Sequence, residues 1–319
     1  MTVLDERPAP RTAVRHDPAE GGAPPKYVWD SWNVDVGRTF IVAALLIGWV
    51  FLYLSVLSSF EQGHAQRELY QRFRTELALT TAPTGAVVGT DKITGRATLT
   101  PIETGAPVAM ISIPRVGIKN LMVVEGSGGQ QLKSGPGHLR NTVLPGQIGT
   151  SEVLGKALSF GAPFGDLDQL RTGDPIKVVT QQGTFTFHVV GARHKGDPTP
   201  ALSAGYGRLT LVTGVGHGLL SGLAPSDTVY FDADLAKAVG PGAVSSKVAD
   251  EQPMKVQLGG GLLAELALAI QLLIAVFAGA YWARTRWSGP AAWIVGVPTI
   301  LAALWLVSSL ASQLLPNLV

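Results

Sequence analysis

The stretch Ile176-Lys177-Val178-Val179-Thr180-Gln181-Gln182-Gly183-Thr184-Phe185-Thr186-Phe187-His188-Val189-Val190 decides the fold class. Phe185, Phe187 and Val189 alternate with Thr184, Thr186 and His188, a period of two that puts the apolar side chains on one face of a strand. The run 176–180 precedes it across Gln182-Gly183, residues that let a chain double back. The segment reads as a β-hairpin with one buried face. Working outward, further short β-type runs at 110–113, 121–124, 152–154, 209–213 and 229–231 are separated by Gly and Pro. Several short strands at this spacing predict a barrel or a sandwich over 108–235, long enough to bury a core.

The flanks change character. Three stretches, at 39–60, 261–282 and 291–312, have roughly the 20 apolar residues that cross a hydrocarbon core. Their only acidic or basic residue is Glu265. Trp29, Trp32, Trp282 and Trp287 flank the spans, as interface anchors do. Residues 1–38 are expected to be a disordered cytoplasmic segment, and no small-residue cleavage site follows the first span, so that span reads as an uncleaved anchor.

Orientation follows from charge. Arg284 and Arg286 lie in the short 283–290 loop, whereas 313–319 has no Lys or Arg. That places the loop in the cytoplasm and, by parity, the 108–235 domain and the 313–319 tail outside the cell. Past the first span, Leu69, Phe73 and Leu77 recur at helical spacing. A stalk helix to about residue 79 is expected, its stripe packing on the protein's own domain or on a partner helix. Residues 80–107 complete the 61–107 stalk and linker, and 236–260 is a second linker.

A formal net charge of +2 with scattered Lys and Arg excludes a nucleic-acid stripe. The chain has no cysteine, so disulfides, thiolate metal sites and a cysteine nucleophile are all excluded. His16 and His64 lie outside the β-rich domain, His138 sits in a Gly-Pro-Gly-His turn, and His188, His194 and His217 lack metal-ligand spacing. No metal or cofactor is expected.

Four ordered blocks carry a family resemblance: Ile111-Ser112-Ile113-Pro114-Arg115-Val116-Gly117-Ile118, Val123-Val124-Glu125-Gly126, Gly135-Pro136-Gly137-His138 and Pro145-Gly146-Gln147-Ile148-Gly149. A fifth, Leu209-Thr210-Leu211-Val212-Thr213, follows them. In this order they resemble the barrel signatures of the sortase family, with class D and E members as the nearest type. The resemblance implies a mainly β fold, an eight-stranded barrel, here with one N-terminal and two C-terminal transmembrane helices. It also implies a Gram-positive-type cell membrane and a cysteine transpeptidase acting on sorting signals at a Thr–Gly bond. That chemistry uses a Cys nucleophile, a His acid/base and an Arg for the oxyanion.

Carried onto this sequence, the histidine position holds Lys156, the cysteine position Gly214 and the arginine position Thr228. Lys156, Gly214, His217 and Thr228 are the expected groove-lining residues, and no catalytic residue is expected. If Gly214 faces the groove, Thr213 faces the core. Lys156 could serve as a base toward a serine such as Ser203 or Ser221, although their spacing does not support it. The chain is therefore expected to be a pseudoenzyme that acts as a structural or scaffolding subunit of a cell-envelope membrane complex. Gly279 and Ala275, with Ala283 one turn on, offer a small-residue face for helix contacts with other membrane proteins or a second copy. The alternatives are a non-cleaving binder of sorting-signal-like peptides and, third, a residual or unconventional transpeptidase or hydrolase.

Overall fold

The hairpin at 176–190 is present and longer than its periodicity: β7 is Pro175–Thr180 and β8 is Gly183–His194. In this computed structural model the described residues are 31–90, 97–215, 227–240, 244, 260–287, 289–315 and 318. Eight strands close a barrel. They are β3 (Pro107–Ile113), β4 (Ile118–Glu125), β5 (Gly137–His138), β6 (Gly149–Leu154), β7, β8, β9 (Gly207–Val215) and β10 (Asp227–Leu235), in the order β10-β8-β7-β3-β4-β5-β6-β9. Only β4–β5 and β6–β9 are parallel pairs. The expected mainly β, eight-stranded barrel is thus the fold.

Alternation fills the interior. Ile111, Ile113, Val153, Ile176, Val178, Phe187, Leu209 and Leu211 are fully buried in one core. Val153, Leu209 and Leu211 point inward from β6 and β9, so their even-numbered neighbours line the outer face.

Helices flank the barrel. The chain divides into two units, Met1–Leu46 and Ile47–Val319, and α1 (Ser31–Leu52) runs through the boundary. A π-helical turn, Tyr53–Leu57, links it to α2 (Ser58–Ala78). Two more helices, α4 (Gly260–Arg286) and α5 (Gly289–Ala311), form a hairpin. The segments Val36–Ala78, Gly261–Arg286 and Gly289–Leu314 are long and apolar enough to cross a membrane. The π-turn has a use: Ser58 Oγ donates to Leu54 O and accepts the Phe160 amide at 2.9 Å.

The α2 stripe packs on the protein's own barrel. Phe73 is buried against Met122 and Ala82, with Leu69, Tyr70, Leu77 and Met110 around it. Beside it, α3 (Gly129–Ser134) leads to the two-residue strand β5. Gln66 completes the open part of β4's edge. Its Nε2 donates to Met122 O at 3.1 Å and Ser134 O at 2.7 Å, while its Oε1 accepts the Met122 amide at 2.8 Å. Gln66→Leu leaves three backbone groups without partners and is expected to cost about 2–4 kcal/mol. Thermal unfolding followed by near-ultraviolet circular dichroism checks this; a loss below about 1 kcal/mol would mean water replaces the amide freely.

Several expectations need correction. Residues 31–38, assigned to a disordered segment, are helical because the helix runs back past the apolar stretch. The 80–107 linker contains a hairpin, β1 (Val87–Thr90) with β2 (Ala97–Thr100), whose four-residue strands are too short to show a period. The 236–260 linker pairs with the barrel through Val239 opposite Gln147 and Val244 opposite Val143. The 283–290 loop is shorter than expected, since α4 continues to Arg286 and α5 starts at Gly289. Within the 313–319 tail, Leu318 is fully buried against the barrel.

Within the hairpin, α4 turns Leu262, Leu266, Ala269, Leu273, Val276, Ala280 and Ala283 away from the exposed side, an alternating 4,3 spacing. Ala275 and Gly279 are exposed, so the expected small-residue face shares only Ala283 with this stripe. Glu265 is exposed as well.

Candidate functional site

Three strands set the site. β6 and β10 flank β9 in register, with Leu154 opposite Val212 and Val212 opposite Tyr230. Two residues on, Gly214 is opposite Thr228. Gly155 donates to Val212 O at 3.0 Å, the closing bond of the β6–β9 ladder, and Lys156 follows it. The outer face therefore carries the row Leu154-Val212-Tyr230 and, one row on, the pair Gly214-Thr228, with Lys156 just past the end of β6. Successive rows on one face lie about 7 Å apart. Thr213 points the other way, donating its hydroxyl to Phe164 O at 3.2 Å in the buried interior.

Lys156 is 2% exposed, with its ammonium 5.5 Å from the centroid of the buried Phe160 ring. Lys133, on α3, lies 5.6 Å from the same ring and donates to the carbonyl and hydroxyl of Ser309 on α5. Two ammonium groups thus contact one aromatic ring. Burial, and secondarily the charge of Lys133, lowers the Lys156 ammonium to about 8. Lys133 is lowered to about 8 by burial, against an opposing pull from Glu61. A lysine of this kind can accept a proton near neutral pH. What it lacks is an acceptor chemistry to serve: position 214 has no side chain, and the chain has no thiol.

Ser203 cannot supply the hydroxyl. It is exposed before the start of β9, beside the start of β6, whereas Lys156 follows the other end of β6, about seven residues or roughly 23 Å on. His217 and Ser221 lie outside the described residues. His138 is a scaffold residue: fully buried, its Nδ1 faces Glu125 Oε2 at 2.9 Å, and its Nε2 faces Val143 O at 2.9 Å and Thr142 Oγ1 at 3.0 Å. Its neighbour Gly137 must be glycine, because a Cβ there would collide with the Gly126 carbonyl. His188 faces Gly173 O and His194 pairs with Asp227 at the exposed surface. Among the described residues no group of three His, Asp or Glu could hold a metal.

The same outer face carries an ion ladder that the strand periodicity alone does not reveal. Arg208 holds both Asp234 oxygens, Thr210 donates to Asp232, and Arg193 donates to Asp232 while stacking 4.3 Å over Tyr230. Burial pushes the adjacent Glu152 carboxyl up, with Arg193 opposing. The signal was available: Arg208 and Thr210 stand at even positions of β9, Asp232 and Asp234 at even positions of β10. Lys133, Phe160 and Leu318 were missed for lack of any local signal.

Fold and site together define a β-barrel protein with three membrane-competent helices. Residues 111–215 match the sortase domain model. The chain is 27% identical over 106 residues to Sortase D of Bacillus subtilis (strain 168), a match covering 33% of this chain and 51% of that protein. The matched region thus spans about half the length of that curated relative. Among solved structures, it is similar to the Sortase D5 transpeptidase of Clostridium perfringens, with 21% identity, a TM-score of 0.40, and coverage of 56% of this chain and 99% of that one. It is also similar to sortase E of Streptomyces avermitilis, with 29% identity, a TM-score of 0.34, and coverage of 42% and 90% respectively.

Proposed function

We propose that this chain is a catalytically inactive sortase-family protein that serves as a structural subunit of a cell-envelope membrane complex. One observation carries the reading: Gly214 pairs with Thr228 across β9 and β10, and Lys156 lies two residues past the end of β6, the other neighbour of β9, in a chain without cysteine. Loss of a whole catalytic triad lowers turnover by on the order of 10⁶. Contacts of the barrel with α2 and α5, at Gln66 and Ser309, support a subunit whose barrel and helices work as one body. In this reading the N-terminus is cytoplasmic, the barrel is outside, and the Arg284–Arg286 turn is inside. No cofactor takes part, and the partners are other envelope proteins or a second copy.

The full-length chain in detergent is expected to show no thioester, cleavage or amine transfer above buffer with sorting-signal peptides containing a Thr–Gly bond. Turnover that Lys156→Ala abolishes would overturn the reading in favour of an unconventional hydrolase. Affinity purification from membranes is expected to bring down stoichiometric partner chains, and recovery of the chain alone would remove the subunit role.

A further inference from the structure

We infer that the outer face of β6, β9 and β10 is a peptide groove whose resident ligand is the chain's own Leu318. The inference rests on the site assigned above, but its test reads occupancy and not turnover. Leu318 is fully buried, packed on Leu132, Leu154 and Val212 with Leu139 and Tyr230 at the margin. Three of these, Leu154, Val212 and Tyr230, form the apolar row next to the Gly214–Thr228 pair, and Lys156 lies two residues past Leu154. Leu318 therefore sits one row, about 7 Å, from the positions at which a family member would do chemistry.

The contact has the two parts by which an extended peptide is held: an apolar side chain in a pocket and a main-chain hydrogen bond. The hydrogen bond runs from the Ala157 amide to the Leu318 carbonyl at 3.0 Å, and Ala157 directly follows Lys156. The end of α5 is itself held in place. Lys133 binds the Ser309 carbonyl and hydroxyl, and Ser312 is 5% exposed. One short helix, α3, thus provides both the clasp, Lys133, and a wall of the pocket, Leu132. Tethering gives such an occupant an effective concentration of about millimolar, enough to exclude a free peptide of weaker affinity.

The test uses the full chain in lipid nanodiscs and a fluorescent peptide of the sequence Gln-Leu-Leu-Pro-Asn-Leu-Val, that of residues 313–319. Leu318→Asp is expected to speed hydrogen exchange at the Ala157 amide by about tenfold or more while Val178 in the core stays protected. The peptide is then expected to bind Leu318→Asp at least about tenfold more tightly than the intact chain. If Val178 also loses protection, Leu318→Ala replaces it and must show the same two changes in smaller measure. Unchanged Ala157 exchange in the variants would overturn the resident role of Leu318, and failure of the peptide to bind a variant with a freed Ala157 amide would overturn the groove. Cleavage of the bound peptide would support the groove and instead sink the inactive reading.

Discussion

Replacement of His138 by alanine is expected to destabilise the barrel by about 3–5 kcal/mol, a large part of a domain's usual 5–15. The imidazole bridges two buried groups, the Glu125 carboxylate on one side and the Val143 carbonyl with the Thr142 hydroxyl on the other. Both His138 and Glu125 side chains are 0% exposed. Alanine would leave the carboxylate in the interior with no ring to bond, and one of its oxygens, Oε1, already lacks a hydrogen-bond partner. The damage would spread, since His138 and Gly137 are the whole of β5, which joins β4 to β6. Urea titration followed by near-ultraviolet circular dichroism is the measurement. A companion Glu125→Gln/His138→Ala double substitution should recover part of the loss by removing the stranded charge, and a single-variant loss below about 1 kcal/mol would show that the pair is dispensable.

Lys156→Met should do the opposite and stabilise the protein by about 1–3 kcal/mol at pH 7. Methionine keeps the length of the stem while removing an ammonium that burial and Lys133 hold at about 8. The full shift from the ordinary 10.5 to about 8 would correspond to roughly 3.4 kcal/mol, and the range lies below it because the ammonium keeps its contact with Phe160. The sign with pH follows from proton counting. Between about 8 and 10.5 the unfolded chain holds more protons than the folded one, so native stability rises with pH across that window. Below about 8 the penalty is constant. Lys133 adds a second contribution of the same sign, and Lys156→Met should remove roughly half of the rise. Urea midpoints at pH 7 and pH 9.5 for both proteins decide it. A less stable variant would mean that the Lys156 charge is used by the folded protein.

What was legible in the sequence follows the range of each signal. The alternation of Phe185, Phe187 and Val189 is local and survives in the buried face of β8. So does the Leu69-Phe73-Leu77 stripe, which found its partner in Met110 and Met122. Ordered blocks carried the family and the barrel closure that periodicity alone left open between barrel and sandwich. By contrast, β5 has two residues and no period to detect. Leu318 meets Leu154 across more than 160 residues, and nothing near either one announces the other. The pairing of Lys133 with Lys156 around Phe160 was hidden for the same reason, because like charges are not expected to converge until an aromatic ring is seen beside both of them.

The attachment of the barrel at Phe160, Met122, Ser309 and Leu318 has a consequence for how anything could find it. A domain on one slack tether sweeps a hemisphere above the bilayer and meets partners from the bulk. This barrel, clasped to helices from both ends of the chain, has little reach. With those helices in a lipid sheet, its encounters become lateral ones, set by how many molecules share a square micrometre and how fast they drift in the plane. Crowding two chains into one patch of such a sheet would then change its occupancy more than any rise in soluble ligand.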